Sequence, residues 1–456
     1  MVTGAPFSAA SDASDGATAV RVQPPLSDSW LAAQGRLPLA FMGLGLAWLA
    51  GATAMLVVSP GLLALPHAAP AVVALAHAWI LGFFVTIATG AIYQLAPVAL
   101  GSTLWSERCG WWHFWLQLIA VPGMVFSFWR WDMELLGHFG TGFAAGIFLF
   151  ALNTWKTVRR SPRKGVVGTS LLLAAGWLFL TVTIGLVLAA NRFWHFLPLD
   201  PLGLLRAHAH LGLVGFFLTL LQGVSFQLIP MFILGDGPSW PLVRRGLWCS
   251  QLGLVGLVPS LIWHAGILAA CFGACIVVGM LVSGEALRRV LATRKKRPLD
   301  PGLSAFVRGA VGLPIAGVFA LVLVWPASPG GSAPGGLGAL VYGVILLLGG
   351  LLPTVAGMIC KIVPFLTWMR AYGPQVGRMR TPSATALSRP RLQRWALGLQ
   401  GVSVLPLAAG TWLLNPVLLT GGAWILGTGV LFFLADMAGV LSHLWRRTPP
   451  APAKPA

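Results

Sequence analysis

The chain reads as long apolar runs separated by short polar breaks. A hydrocarbon core needs about 20 apolar residues per crossing helix. Runs of that kind begin near Leu37, Ala71, Trp112, Met133, Val166, Gly203, Leu247, Ala265, Phe306, Gly335, Trp395 and Val417. The pattern predicts an all-α, polytopic membrane protein with about twelve transmembrane helices. The shortest break, Trp263-His264-Ala265-Gly266, separates the seventh and eighth runs. An even number of crossings puts both termini on one side. Residues 1–36, rich in Ala, Ser, Asp and Pro, have no apolar core and read as a disordered tail, not a signal peptide. Residues 446–456 (RRTPPAPAKPA) read the same way, leaving 37–445 as the membrane domain.

The runs repeat. The second contains His77, Gly82, Phe83, Phe84, Gly90, Gln94, Leu95 and Pro97. The sixth has His210, Gly215, Phe216, Phe217, Gly223, Gln227, Leu228 and Pro230 at the same spacing, with Thr86 matched by Thr219. A weaker third copy in the tenth carries Gly349, Gly357, Cys360, Lys361, Ile362 and Pro364, with Val344 at the histidine position. Three pseudo-symmetric four-helix units follow, at about 37–165, 166–300 and 301–445. Repeats of this kind set equivalent helices around a common axis with sites at the repeat interface. The glycines either let helices approach closely or leave room for a planar ligand.

Composition narrows the class. Apolar residues make up 57% of the chain and charged residues 9%, against about 25% charged in a soluble domain. So few charges cannot cover a water-facing surface. The formal charge of +19 points to nucleic acid only in a soluble protein. With the N-terminus cytoplasmic, every basic residue except Arg130, Arg192 and Arg206 falls on the cytoplasmic side. The excess is then the positive-inside signal of a protein in a bacterial inner membrane, both termini cytoplasmic, with the lipid bilayer as its partner and no nucleic acid.

Seven of the nine histidines fall on the opposite side: His67, His77, His138, His195, His208, His210 and His264. An imidazole inside an apolar helix needs a hydrogen-bond partner or a metal, and neutral imidazole is a common ligand of haem iron and copper. His77 and His210, repeated at the same place, read as the metal and cofactor ligands. His138 and His208 stand open between ligand and interfacial roles. His67, His195 and His264, in predicted loops, read as interfacial. His208 and His210, two apart, cannot point the same way on a helix. Arg206 and Arg192 sit where haem propionates would lie and equally where interfacial arginines do.

The remaining polar groups carry weaker signals. Cys271 and Cys275, four apart, share a helix face that would suit Cu(I), but small core residues explain them better. The five cysteines include no CxxC or CxxCH, which argues against a zinc ribbon, a thioredoxin-type site and covalent haem. Lys361, Glu285 and Asp436 lie near span ends and are candidates to start a proton path, Asp436 being the best buried acid. No hydrolase, nucleotide-binding or metalloprotease motif is present, and no catalytic residue is assigned.

The stretches HAWILGFFVTIATGAIYQLAPVAL, WDMELLGHFG and RAHAHLGLVGFFLTLLQGVSFQLIPMF resemble a bacterial group related to subunit I of the haem–copper oxidases. The likeness runs from about residue 37 to 445. It is similar in spirit to the NnrS-type haem and copper proteins of nitric oxide metabolism. The resemblance implies haem b on His77, copper on His210 or His208, and electron partners such as cytochrome c or other respiratory subunits. In the family, span ten carries two haem-ligating histidines and span seven paired copper histidines. Here YGVILLLGGLLPTVAGMICKIVPF has none, and His264 is alone at the wrong end of span seven. The expectation is a haem-binding relative without a complete oxygen-reducing centre, serving electron transfer, sensing or a nitric-oxide-related system. The alternatives are a transporter for a metal cation or protons, and an oxidase or reductase with unorthodox ligands.

Overall fold

A computed structural model describes residues 35–295, 298–324, 336–376 and 380–445. The two predicted tails lie outside these residues, apart from Gly35 and Arg36. The described residues are helical, with no strand among them. Ten helices among them are long and apolar enough to cross a membrane. In chain order these are α1 (Arg36–Val58), α2 (Pro70–Leu100), α4 (Met133–Arg160), α5 (Gly165–Trp194), α6 (Pro201–Ile233), α8 (Gly266–Ala292), α9 (Pro301–Val324), α10 (Leu337–Ala371), α11 (Pro390–Leu413) and α12 (Pro416–Leu441). Two further helices, α3 (Glu107–Arg130) and α7 (Trp240–Ile262), are of similar length but more polar.

Helices α3, α7 and α11 begin earlier than hydropathy suggests, at Glu107, Trp240 and Pro390 rather than Trp112, Leu247 and Trp395. Their first two turns carry arginines, which a hydropathy window discounts but which remain helical at a lipid–water boundary. The scarce acids serve the starts of other helices. Asp132, Asp200 and Asp300 each accept a backbone N–H in the first turn of α4, α6 and α9, as N-caps do. The break after α7 is real and tight: His264, at φ 54°, turns the chain between Ile262 and Gly266. Its imidazole pairs with Asp200 at 3.2 Å, which fits the interfacial role.

Successive helices pack side by side, and α12 returns against α1. Three helices lie inside. Burial of the apolar stretch is 72% for α2, 67% for α6 and 56% for α10, and no other spanning candidate exceeds 44%. These are the helices that carry the repeated sequence.

The repeat has a backbone counterpart. Each inner helix widens into a π-helical segment at the matching place: Ala78–Val85, Leu211–Leu218 and Ile345–Leu351. Each segment starts directly after His77, His210 or Val344. The glycines serve close packing. Trp48 of α1 lies on Gly82, and Trp177 of α5 lies on Gly215. Gly90, Gly223 and Gly357 abut Phe41, Ser170 and Gly302 on α1, α5 and α9. In a membrane, where burial gives no hydrophobic drive between helices, such contacts supply the dispersion that holds them.

A π-helical segment leaves a carbonyl without its helical donor where the normal helix resumes. A threonine repairs it. Thr86 donates to the Leu81 carbonyl at 2.9 Å, and Thr219 to that of Val214 at 3.2 Å. Each threonine oxygen then accepts an amide from the next helix, Gln117 of α3 at 2.6 Å and Gln251 of α7 at 2.7 Å. In α10 the matching residue is Pro353, which cannot play this part, and Thr354 hydrogen-bonds the Leu351 carbonyl at 2.7 Å instead.

Candidate metal centre

His77 and His210 have the same local geometry. Each donates from Nδ1 to the carbonyl one turn back, Val73 and Arg206 respectively, at 2.8 Å. This fixes the tautomer and makes Nε2 the acceptor nitrogen, the usual second-shell arrangement of a metal-binding histidine. His208 gains the same state by another route: its Nδ1 donates across to the Thr181 carbonyl of α5 at 3.0 Å. Among the described residues, neither the His77 nor the His208 Nε2 has a hydrogen-bond partner.

The structure brings His77 together with His208, not with His210. Their ring centres are 6.5 Å apart and their planes 21° from parallel. Two imidazoles opposed across one metal, with bonds of about 2.0–2.1 Å, would have centres about 6 Å apart. The separation therefore fits one shared ion. Phe128 of α3 stacks on His77 at 4.2 Å. Gly185 of α5 lies against the His208 ring, where a Cβ would come within 2.9 Å of Cε1.

His210 faces the other way, to α10. It stacks with Tyr342 at 5.9 Å, planes 11° apart, and the phenol donates to its Nε2 at 3.5 Å. One register explains both pairs. The repeat aligns His77, His210 and Val344 at one position, and Leu75, His208 and Tyr342 two residues earlier. The first position of α2 meets the second position of α6, and the first of α6 meets the second of α10. Two residues on an α-helix are about 200° apart, so α6 can serve α2 with His208 and α10 with His210. The remaining pair of positions, Val344 and Leu75, is apolar.

The other expected residues lie apart. His138 is exposed on α4, with no hydrogen bond or ring contact to the cluster among the described residues. Arg192 and Arg206 are exposed. Cys271, expected in a helix core, is exposed, and Cys249 rather than Cys271 bonds the Cys275 backbone, at 3.2 Å. No group of three or more His, Cys, Asp or Glu side chains forms a metal cage among the described residues.

The candidate proton-path residues are tied into local structure. Asp436 is buried, but accepts the Arg389 backbone N–H and the Gln393 amide, both at 2.8 Å, clasping α12 to the start of α11. Glu285 pairs with Arg288 and Arg289 on its own helix. Lys361 forms an ion pair with Asp300, the cap of α9.

The apolar pattern of the chain does not mark Tyr342 or the Gln117 and Gln251 amides. The glutamines stand 134 residues apart, almost at the repeat spacing, and that was their signal. Tyr342 has no such mark, because it matches His208 only through a weak third copy. Compared with known families and curated proteins, the chain matches no family model and no curated sequence. The chain is a helical membrane protein in which the imidazoles of two inner helices, His77 and His208, lie close together.

Proposed function

We propose that this protein holds a redox metal cofactor, haem b, between His77 and His208. The observation that carries the reading is that the His77 and His208 rings lie 6.5 Å apart with both Nδ1 atoms committed to carbonyls. Bound haem would supply one-electron transfer at its iron. The chain's own part is to fix both tautomers through the Val73 and Thr181 carbonyls and to surround the pair with apolar side chains. The proposed architecture is twelve spans, the ten apolar helices with α3 and α7, in three pseudo-symmetric units of four. The matching π-helical segments support those units, and the Thr–Gln bonds support the first two. The protein is then a divergent relative of haem–copper oxidase subunit I. It lacks a complete oxygen-reducing centre and serves electron transfer, sensing or a respiratory role linked to nitric oxide. The distribution of basic residues supports cytoplasmic termini, and the proposed membrane is the bacterial inner membrane.

A second reading has one observation in its favour. Phe128 on His77 and Gly185 against His208 pack the pair closely, which suits a bare copper ion better than a macrocycle. Two neutral imidazoles are good ligands for copper. The protein would then carry copper or store it.

Purification from haem-replete cells, with haem and metal analysis, tests both. A Soret band and a dithionite-reduced α band that vanish in His77→Ala and His208→Ala support haem. One equivalent of copper lost in the same variants supports the second reading. A colourless, metal-free protein sinks both.

A further inference from the structure

We infer that the outward face of α11 is a binding site for one phospholipid with an anionic headgroup. Arg391, Arg394, Trp395, Gly398, Leu399 and Val402 line an open groove of about 580 Å³, within the range of small-molecule sites. All six lie on the side of α11 opposite its buried residues Gln393, Ala396, Leu397, Gln400 and Ser403. No acidic side chain is among the lining residues.

The residues run in the order that a lipid would need. Two exposed arginines come first, on neighbouring turns. Arginine suits a phosphodiester because its planar fork donates two parallel hydrogen bonds. Trp395 follows, 66% exposed, of the type that favours the headgroup level. Gly398 and Val402 come last and are apolar. From Arg391 to Val402 the helix rises about 16 Å, close to half of the ~30 Å hydrocarbon core. The groove is one leaflet long.

At Gly398, as at several other glycines on the helices, a Cβ would meet nothing within 4 Å. The missing side chain leaves an open notch between Trp395 and Val402, and that notch would seat the upper part of an acyl chain. The arginine side chains carry the recognition.

Native mass spectrometry of the purified full chain tests this, with phosphatidylglycerol, phosphatidylcholine and inorganic phosphate as separate probes. One phosphatidylglycerol should be held in preference to phosphatidylcholine. The double variant Arg391→Gln, Arg394→Gln should weaken it about 30-fold. Gly398→Leu keeps both arginines but fills the notch, and should also weaken the lipid. Leucine is the better helix former there, so this variant separates lost binding from lost folding. Equal retention of phosphatidylglycerol by both variants overturns the site. Displacement of the lipid by inorganic phosphate at equal concentration makes it a phosphate site instead, and overturns the lipid assignment.

Discussion

His77 of α2 and His208 of α6 lie with ring centres 6.5 Å apart, although the repeat equates His77 with His210. The equivalent histidines share a local hydrogen bond, but the pair that meets is offset by two residues. If a metal sits between them, His77→Ala and His208→Ala should each abolish it. His210→Ala and His138→Ala should leave it bound. Absorbance and metal content read this directly. Equal loss in His210→Ala would show that the repeat, rather than the observed pairing, defines the ligands.

The π-helical segments should depend on their threonines. Thr86→Val removes the donor for the Leu81 carbonyl and the acceptor for the Gln117 amide at once. Buried polar groups left unpaired cost about 1–3 kcal/mol each. Gln117→Leu removes one bond and strands none of these groups, so it should cost about 1 kcal/mol. The double variant should cost less than the sum of the two. Unfolding by denaturing detergent, compared across this cycle and the matching Thr219–Gln251 cycle, measures the coupling.

The α9–α10 crossing should not tolerate bulk. A Cβ on Gly357 would meet the Gly302 carbonyl and come within 2.9 Å of the Phe306 nitrogen. Backbone cannot move aside as a flexible side chain does. Gly357→Leu should destabilise by at least the 1–3 kcal/mol typical of overpacking. It should also disturb the Asp300–Lys361 ion pair beyond the contact. Gly398→Leu is the internal control, being a glycine with open space. Thermal stability in detergent distinguishes the two.

His67, in the turn between α1 and α2, packs against Gly336 at the start of α10. Burial, with a smaller effect of the Arg206 charge, lowers its pKa from the ordinary 6.5. The folded state therefore prefers the neutral ring. Above pH 6.5 both folded and unfolded chains are neutral there, and this term is constant. As the pH falls below 6.5 the unfolded chain takes up the proton first, and stability declines until the folded ring also titrates. His67→Gln should flatten that part of the stability–pH curve. An unchanged slope between pH 7 and 5 would remove His67 as its cause.

The apolar runs by themselves determined the helical membrane character, because a lipid solvent forbids open backbone and demands long apolar helices. The spacing of His77, Phe83 and Gly90 against His210, Phe216 and Gly223 also marked the two strongest repeat copies, since packing on a neighbouring helix needs the same residue type at the same turn. Hydropathy places helix starts late, at Trp112, Leu247 and Trp395, where arginine-bearing turns hide inside polar sequence. Which side chains meet was decided only by tertiary structure. His208 reaches His77, and His210 reaches Tyr342, because two residues on one helix face opposite neighbours. Asp436, legible as a buried acid, became a clasp between α11 and α12 only once Arg389 and Gln393 were placed beside it. A sequence period fixes what is equivalent along the chain, whereas contact across helices depends on their crossing and rotation, which the period does not contain.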